Sequence, residues 1–294
     1  MATTNNSVLA DTIPTVIEEA RYTEQFKEVF SKLAWRITKA KGDGATVNLP
    51  YFGTVSANNL TDGIDMVNPQ SMSDTNVVIT PGEVGAQILL SWKLARDNQE
   101  DVIRAAGRIL GEAMVVKRES DLAGQLDDGS HTPMGGASGG NPLTLGMIAA
   151  SWATLSGNPL SSGGPAPKPY VMVHHPFTLL DLVDIFTPTT PATALTSAGM
   201  GDDVLKNYQI GKIFGMDVYE SGNISTSGDA AKGGVFASGR GGALVLATSK
   251  EWEVLPDDDP SRRATELNVV GEYGVGEYLA NWIVELNNDA TAPA

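Results

Sequence analysis

From Val47 to Trp92 the chain carries neither Lys nor Arg, although both flanks carry several. Its only acidic residues there are Asp62, Asp65, Asp74 and Glu83. The two ends of the stretch read as strands: Val47, Leu49 and Tyr51 share one face, and Val84, Ala86, Ile88, Leu90 and Trp92 keep a period of two. Between them lies a long run rich in Asn, Ser, Thr, Gly and Asp. A structureless loop of that length is uncommon inside a compact domain, where connections run to about 4–6 residues. The flanking strands argue against disorder, so the pattern predicts an extended two-stranded excursion. An isolated hairpin is marginal in water and needs another surface to lie on. The expectation is a surface that belongs to another chain.

With 294 residues and 41% hydrophobic content, the chain has enough apolar material for one large core or two ordinary ones. The absence of cysteine excludes disulfides, thiolate metal sites and a cysteine nucleophile. The first residues, MATTNNSVLADTIPTVIEEARYTEQFKEVF, have no basic start followed by an apolar run, so no signal peptide is expected. No apolar stretch is long enough for a membrane helix. A net charge of −15 argues against sequence-specific reading of nucleic acid. The segment Arg21–Lys41 is locally basic and the C-terminal end acidic, a distribution that suits head-to-tail pairing of copies or, equally, ordinary solvated faces.

Along the chain, a polar leader precedes an amphipathic pattern in Thr15–Leu33. Asp97 and Glu100 have the spacing of a capping box, and Val102, Ala106, Ile109, Ala113 and Val116 form one stripe after it. The pattern predicts a helix from Asn98 to Leu126, on the order of 43 Å long at about 1.5 Å per residue. A second helix is expected over Leu143–Leu155, and YVMVHH reads as a buried strand running through Pro176 into a helix, FTLLDLVDIF. A helical turn is expected at Asp203–Tyr208, strands over Gly211–Ser221, and a strand at Ala243–Ala247 before a charged turn. The end reads as two strands, Thr265–Glu272 and Tyr278–Leu286, joined by a glycine-bearing turn.

The chemistry-bearing motifs are weak. Gly136–Gly140 matches G-x-S-x-G around Ser138, but prolines flank it and no strand leads in, so a flexible loop is the better reading than a nucleophile. His174, His175 and His131 do not have metal-ligand spacing, and a satisfied core or edge histidine is expected. The run PDDDPSRR, from Pro256 to Arg263, lacks the spacing and central glycine of a calcium loop and reads as an acidic turn or a subunit contact. The glycine-rich stretches match no nucleotide-binding pattern. No catalytic residue, cofactor or metal is expected, and the chain does not read as an enzyme.

The order of these elements, with VNLPYF to LLSW, the long helix, PYVMVHHPFTLLDL, IGKIFGMDVYESGNI and TELNVVGEYGVGEYLANWIVEL, resembles the major capsid proteins of tailed bacteriophages, with the Hong Kong 97-like fold. The resemblance implies an α+β architecture: an N-terminal arm over residues 1–43, an extended E-loop over 44–93, a spine helix and peripheral domain over 94–186, an axial domain over 187–242 that takes in part of 143–186, and return strands of the peripheral domain over 243–294. It implies a shell protein that assembles into hexamers and pentamers around double-stranded DNA, residing in the virion and, during assembly, in the host cytoplasm. A nanocompartment shell enclosing protein cargo is the alternative with the same fold. Outside that fold, the alternatives are a hydrolase built on Ser138 and a monomeric β-rich binding module. The E-loop would lie across a neighbour, its tip residues Asp62, Asp65 and Met66 meeting basic residues such as Arg104 or Arg108 on the neighbour's spine. Interface cores are depleted in charge, which accounts for the missing lysines and arginines.

Two departures from well-known members carry expectations of their own. No Lys lies between Ala45 and Trp92, so an E-loop isopeptide cross-link is excluded and stability must come from noncovalent contacts or a decoration protein. Little chain precedes the hairpin, so a separate scaffolding protein is expected, together with a portal and only non-specific contact with DNA. No membrane partner is expected.

Overall fold

The structure, a computed structural model, describes residues 28–40, 42–63, 65, 69–97, 101–128, 134–135, 140–186 and 211–292. A single helical turn, α1 (Phe30–Leu33), leads into β1 (Trp35–Thr38). Strands β2 (Val47–Phe52) and β3 (Asp74–Ile79) pair antiparallel as a separate ribbon, with Val47 opposite Ile79 and Phe52 opposite Asp74. Then come β4 (Gly82–Ser91), α2 (Trp92–Asp97), the long helix α3 (Asp101–Gly124) with a tighter last turn at Gln125–Asp128, and α4 (Leu145–Ser156). The remainder comprises β5 (Tyr170–His174), α5 (Pro176–Phe186), β6 (Lys212–Ile213), β7 (Met216–Glu220), β8 (Thr226–Ser227), β9 (Ala230–Ala237), β10 (Leu244–Asp259), β11 (Ala264–Glu277) and β12 (Ile283–Asp289). The α+β class is as expected.

Two sheets organise the molecule. One has the order β1-β10-β11-β4, with β1 parallel to β10 and the other pairs antiparallel. The other runs β12-β9-β5-β7-β6, with β8 added on β9, and its β5–β7 pair is parallel. Helix α3 joins them through two different stretches of its surface. Ala106, Leu110 and Met114, spaced by one turn, pack with Leu90, Leu267 and Val269 of the first sheet. Leu122, Ala123 and Leu126 pack with Val171, Val173 and Phe236 of the second. Helices α4 and α5 cover another part of that second sheet through Ile148, Leu155, Leu179 and Leu182. Thr144 caps α4 by accepting the Met147 N–H at 3.3 Å, and Pro176 opens α5, where its missing N–H costs nothing.

Several boundaries differ from the sequence expectation, each for a tertiary reason. The alternating segment Val84–Trp92 does not return along the excursion. As β4 it pairs with β11 from Gly82 opposite Tyr273 to Ser91 opposite Ala264, and β3 replaces it in the ribbon. Trp92 ends the alternation by opening α2. The long helix spans Asp101–Gly124, and the Asp97–Glu100 cap falls outside the described side chains. Strand β10 continues through the charged run to Asp259, because β11 pairs with it again from Glu253 to Asp259 after a local irregularity. Pro256 is tolerated there because β1 pairs only as far as Thr248, leaving β10 an edge strand beyond that point.

The last two strands do not form a hairpin either. Strand β11 runs on to Glu277, and β12 joins β9 in the other sheet. The glycines read as a turn are instead places where something lies close against a strand. A Cβ on Gly274 would come within 3.0 Å of Ile79 Cγ2 and 3.0 Å of the Thr80 carbonyl oxygen. The expected strands over Gly211–Ser221 are β6 and β7, joined by a tight turn in which Phe214 and Gly215 have φ of 51° and 77°. The expected turn at Asp203–Tyr208, and all of Thr15–Leu33 before Glu28, lie outside the described residues.

Candidate assembly surfaces

The ribbon has a covered base and a bare tip. Leu49 and Ile79 are buried with Val245 and Ala247 of β10, and Trp35, Ile37, Val47, Val77 and Tyr278 pack around them. The Tyr278 ring packs edge-on to Trp35 at 5.6 Å, and its hydroxyl donates to the Pro50 carbonyl at 3.1 Å. The base is therefore fastened to its own subunit. Beyond Phe52 the ladder continues by one main-chain bond, from Gly53 N–H to the Ser73 carbonyl at 2.8 Å. The Gln70 side chain then imitates a further rung: its carbonyl accepts the Ser56 N–H at 2.8 Å and its amide donates to the Ser56 carbonyl at 2.7 Å. These bonds hold the tip extended without a core beneath it.

The apolar side chains of this arm face solvent. Phe52 is 55% exposed, Val55 61%, Leu60 66% and Met72 73%. Burial of such side chains stabilises by about 1.5–3 kcal/mol each relative to exposure, so these bare side chains on an extended element make it a candidate contact surface. Asp62 and Asp65 lie exposed near the tip, and Arg108 lies exposed on α3. Met66 and the Arg104 side chain fall outside what the structure describes. Within one subunit no described contact brings Asp62 or Asp65 to Arg108.

Two further protrusions carry apolar residues into solvent. On the β10–β11 ribbon Val254 and Leu255 are exposed, next to a turn in which Asp259 accepts the Ser261 N–H at 2.9 Å and the Arg262 N–H at 3.2 Å. Asp258 accepts the Thr265 hydroxyl at 2.7 Å. The acidic run thus builds its own turn. In the second sheet and its covering helix Phe177, Leu180, Phe214 and Tyr219, on α5 and the β6–β7 hairpin, are also exposed.

The residues weighed as chemical groups are placed in structural roles where they are described. His174 is fully buried, with Nε2 3.1 Å from the Leu286 carbonyl oxygen and Nδ1 accepting the His175 N–H at 2.9 Å. That pattern fixes a neutral ring with its proton on Nε2, and burial pushes its pKa down to about 3. His175 packs against Phe177 at 4.7 Å and is likewise lowered by burial. Ser138 and His131 lie outside the described residues. Among the described residues no group of His, Asp and Glu could hold a metal ion. A cavity of about 470 Å³ opens between the end of α3 and β9, lined by Gly124, Asp127, Ser225, Lys232 and others. Its titratable pair, Lys232 and Asp127, is spent on an ion pair.

The most consequential group that sequence reasoning missed is Glu119. It is fully buried on α3 and holds the segment Val29–Ser31. Beside it Arg118 pairs with Glu28 at 2.5 Å and lies over the Trp252 ring, 4.4 Å from its centroid. A signal was present: Glu119 falls on the same helical face as Leu122 and Leu126, an acid within an apolar stripe.

A family model described as phage capsid protein matches residues 74–283. No curated protein matches the chain. Among solved structures, a chain from Mycobacterium phage Che8 is 17% identical with a TM-score of 0.61, the match covering 89% of this chain and 91% of that one. The mature capsid of bacteriophage PhiM1 gives 14% identity and a TM-score of 0.67, covering 91% and 89%. The head structure of Helicobacter pylori bacteriophage KHP40 gives 12% and 0.66, covering 90% and 92%. At these identities the likeness is one of fold.

Proposed function

Because the chain belongs to the phage capsid protein family, we propose that it builds, from copies of itself arranged as hexamers and pentamers, the icosahedral shell that encloses the double-stranded DNA of a tailed phage. Its role is structural and its place is the capsid of the virion. The observation that carries the assembly reading is the ribbon: its base is fastened to its own subunit while its tip holds Val55, Leu60 and Met72 in solvent. The tip crosses a neighbouring subunit, which covers these side chains, and Asp62 and Asp65 meet a basic surface there, with Arg108 of the neighbour the described candidate. Many such contacts add by multivalency, and heterologous contacts of this kind close into rings.

The second sheet, with Phe177, Leu180, Phe214 and Tyr219 at its exposed end, gathers around the capsomer axes, and the first sheet with its β10–β11 ribbon forms the periphery. The net charge of −15 lets the inner wall retain DNA without binding it tightly. A separate scaffolding protein directs closure in the host cytoplasm, a portal occupies one vertex, and a decoration protein reinforces a shell that has no E-loop lysine for cross-linking.

The test is sedimentation and negative-stain imaging of the chain expressed alone and then with its neighbouring genes. Closed particles, sheets or capsomers are expected, and dependence on a neighbouring gene identifies the scaffold. A monomer under both conditions overturns the reading.

A further inference from the structure

The start of the described chain is gripped by the subunit's own long helix. The Glu119 carboxylate accepts the backbone N–H groups of Val29, Phe30 and Ser31 at 2.8, 2.7 and 2.8 Å, and also the Ser31 hydroxyl. These are N–H groups that a helix as short as α1 leaves without internal partners. Glu28 adds its ion pair to Arg118, which is held in turn over Trp252. On the far side the Arg36 Nε–H donates to the Ser31 carbonyl at 2.6 Å. Apolar docking is already supplied by Phe30, which is fully buried and stacked at 6.5 Å on Phe236. A buried carboxylate is costly to desolvate, and what it adds beyond apolar contact is direction: its donors must arrive in one orientation.

We infer that Glu119 is the positioning residue of the N-terminal arm: it anchors the arm at Val29–Ser31 in cis on its own subunit and in one orientation, which assembly of the shell requires. The inference rests on the shell reading for its second half only. The cis anchor stands or falls on the isolated subunit.

The experiment uses the full chain, wild type against Glu119→Gln and the milder Ser31→Ala. Amide hydrogen exchange on unassembled subunits is expected to speed up at Val29 and Phe30 by roughly tenfold in Ser31→Ala and about a hundredfold in Glu119→Gln, with β5 and β9 amides unchanged. In the assembly assay Glu119→Gln is expected to give about tenfold fewer closed particles. Unchanged exchange at Val29 and Phe30 overturns the anchor, and equal loosening of β5 and β9 reduces Glu119 to a general core residue. Normal particles formed by a variant with a loosened arm overturn the link to assembly. If wild type forms no particles, the shell reading fails by itself while the exchange data still judge the anchor. Should Glu119→Gln not fold, Ser31→Ala carries the same comparison.

Discussion

The guanidinium of Arg118 lies 4.4 Å from the centroid of the Trp252 ring. That contact ties the long helix to the long ribbon at the place where the β10–β11 register is interrupted, between Lys250 and Glu253. The irregularity turns Trp252 inward, and Gly271 on the facing strand leaves room for the indole, since a Cβ there would overlap it. Trp252→Ala is expected to destabilise the unassembled subunit by about 1–3 kcal/mol through lost packing and the lost cation–π contact. Chemical denaturation of the two proteins measures this, and a change near zero would show that the contact is incidental.

Gly274 sits directly beneath Ile79 of the ribbon. A Gly274→Ala methyl would press on both the Ile79 side chain and the Thr80 carbonyl, so the ribbon base must lift. A loss of about 1–3 kcal/mol is expected, together with faster exchange of the β2 and β3 amides. Gly82→Ala is the control, because a Cβ there meets nothing within 4 Å.

At the tip the expectation reverses. Leu60 is 66% exposed, so Leu60→Asp should leave subunit stability within about 0.5 kcal/mol of wild type. The same change should abolish or sharply reduce particle formation, read by sedimentation. A variant that assembles normally would remove the tip from the interface.

His174 sets a pH dependence with a definite sign. Its folded pKa of about 3 lies below the ordinary histidine value of about 6.5, so the unfolded chain binds the extra proton as pH falls. Stability is therefore full above about pH 6.5 and declines below it, by at most about 1.4 kcal/mol per pH unit from this group. His175, lowered by burial as well, acts in the same direction. Urea midpoints measured at pH 7 and pH 5.5 should fall together with pH, and His174→Gln should flatten the dependence. An equally steep slope in the variant would assign the effect to other groups.

Much of this protein was legible locally. The stripe through Ala106, Leu110 and Met114, the Pro176 helix start and the buried run Tyr170–His174 all depend on contacts or conformations within a few residues, and local sequence pattern reports those directly. Residues 47–92 carry no Lys or Arg, but their C-terminal part, from Gly82 to Ser91, pairs with β11 of the same subunit. The family resemblance drew on the order of these elements.

What the local signal did not contain was partner choice. Alternation in Val84–Trp92 says that one face is buried, and it is equally compatible with the ribbon and with β11; only the register against Ala264–Tyr273 decides. The charged residues after Thr248 look like a turn because their neighbours in sequence are polar, yet pairing with β11, resumed after the irregularity and unbroken from Glu253 to Asp259, keeps them extended. Glycines at 274 and 276 look like a turn because Gly relaxes the backbone, whereas here they make room for Ile79. Glu119 became visible only when folding brought residues about ninety positions earlier in the chain onto it, with sequence separations of 88 to 90. Periodicity, caps and composition act over a turn or two of chain and so are written in the sequence; strand pairing, close approach and buried charge depend on which distant segment arrives, and that is settled only by the packed structure.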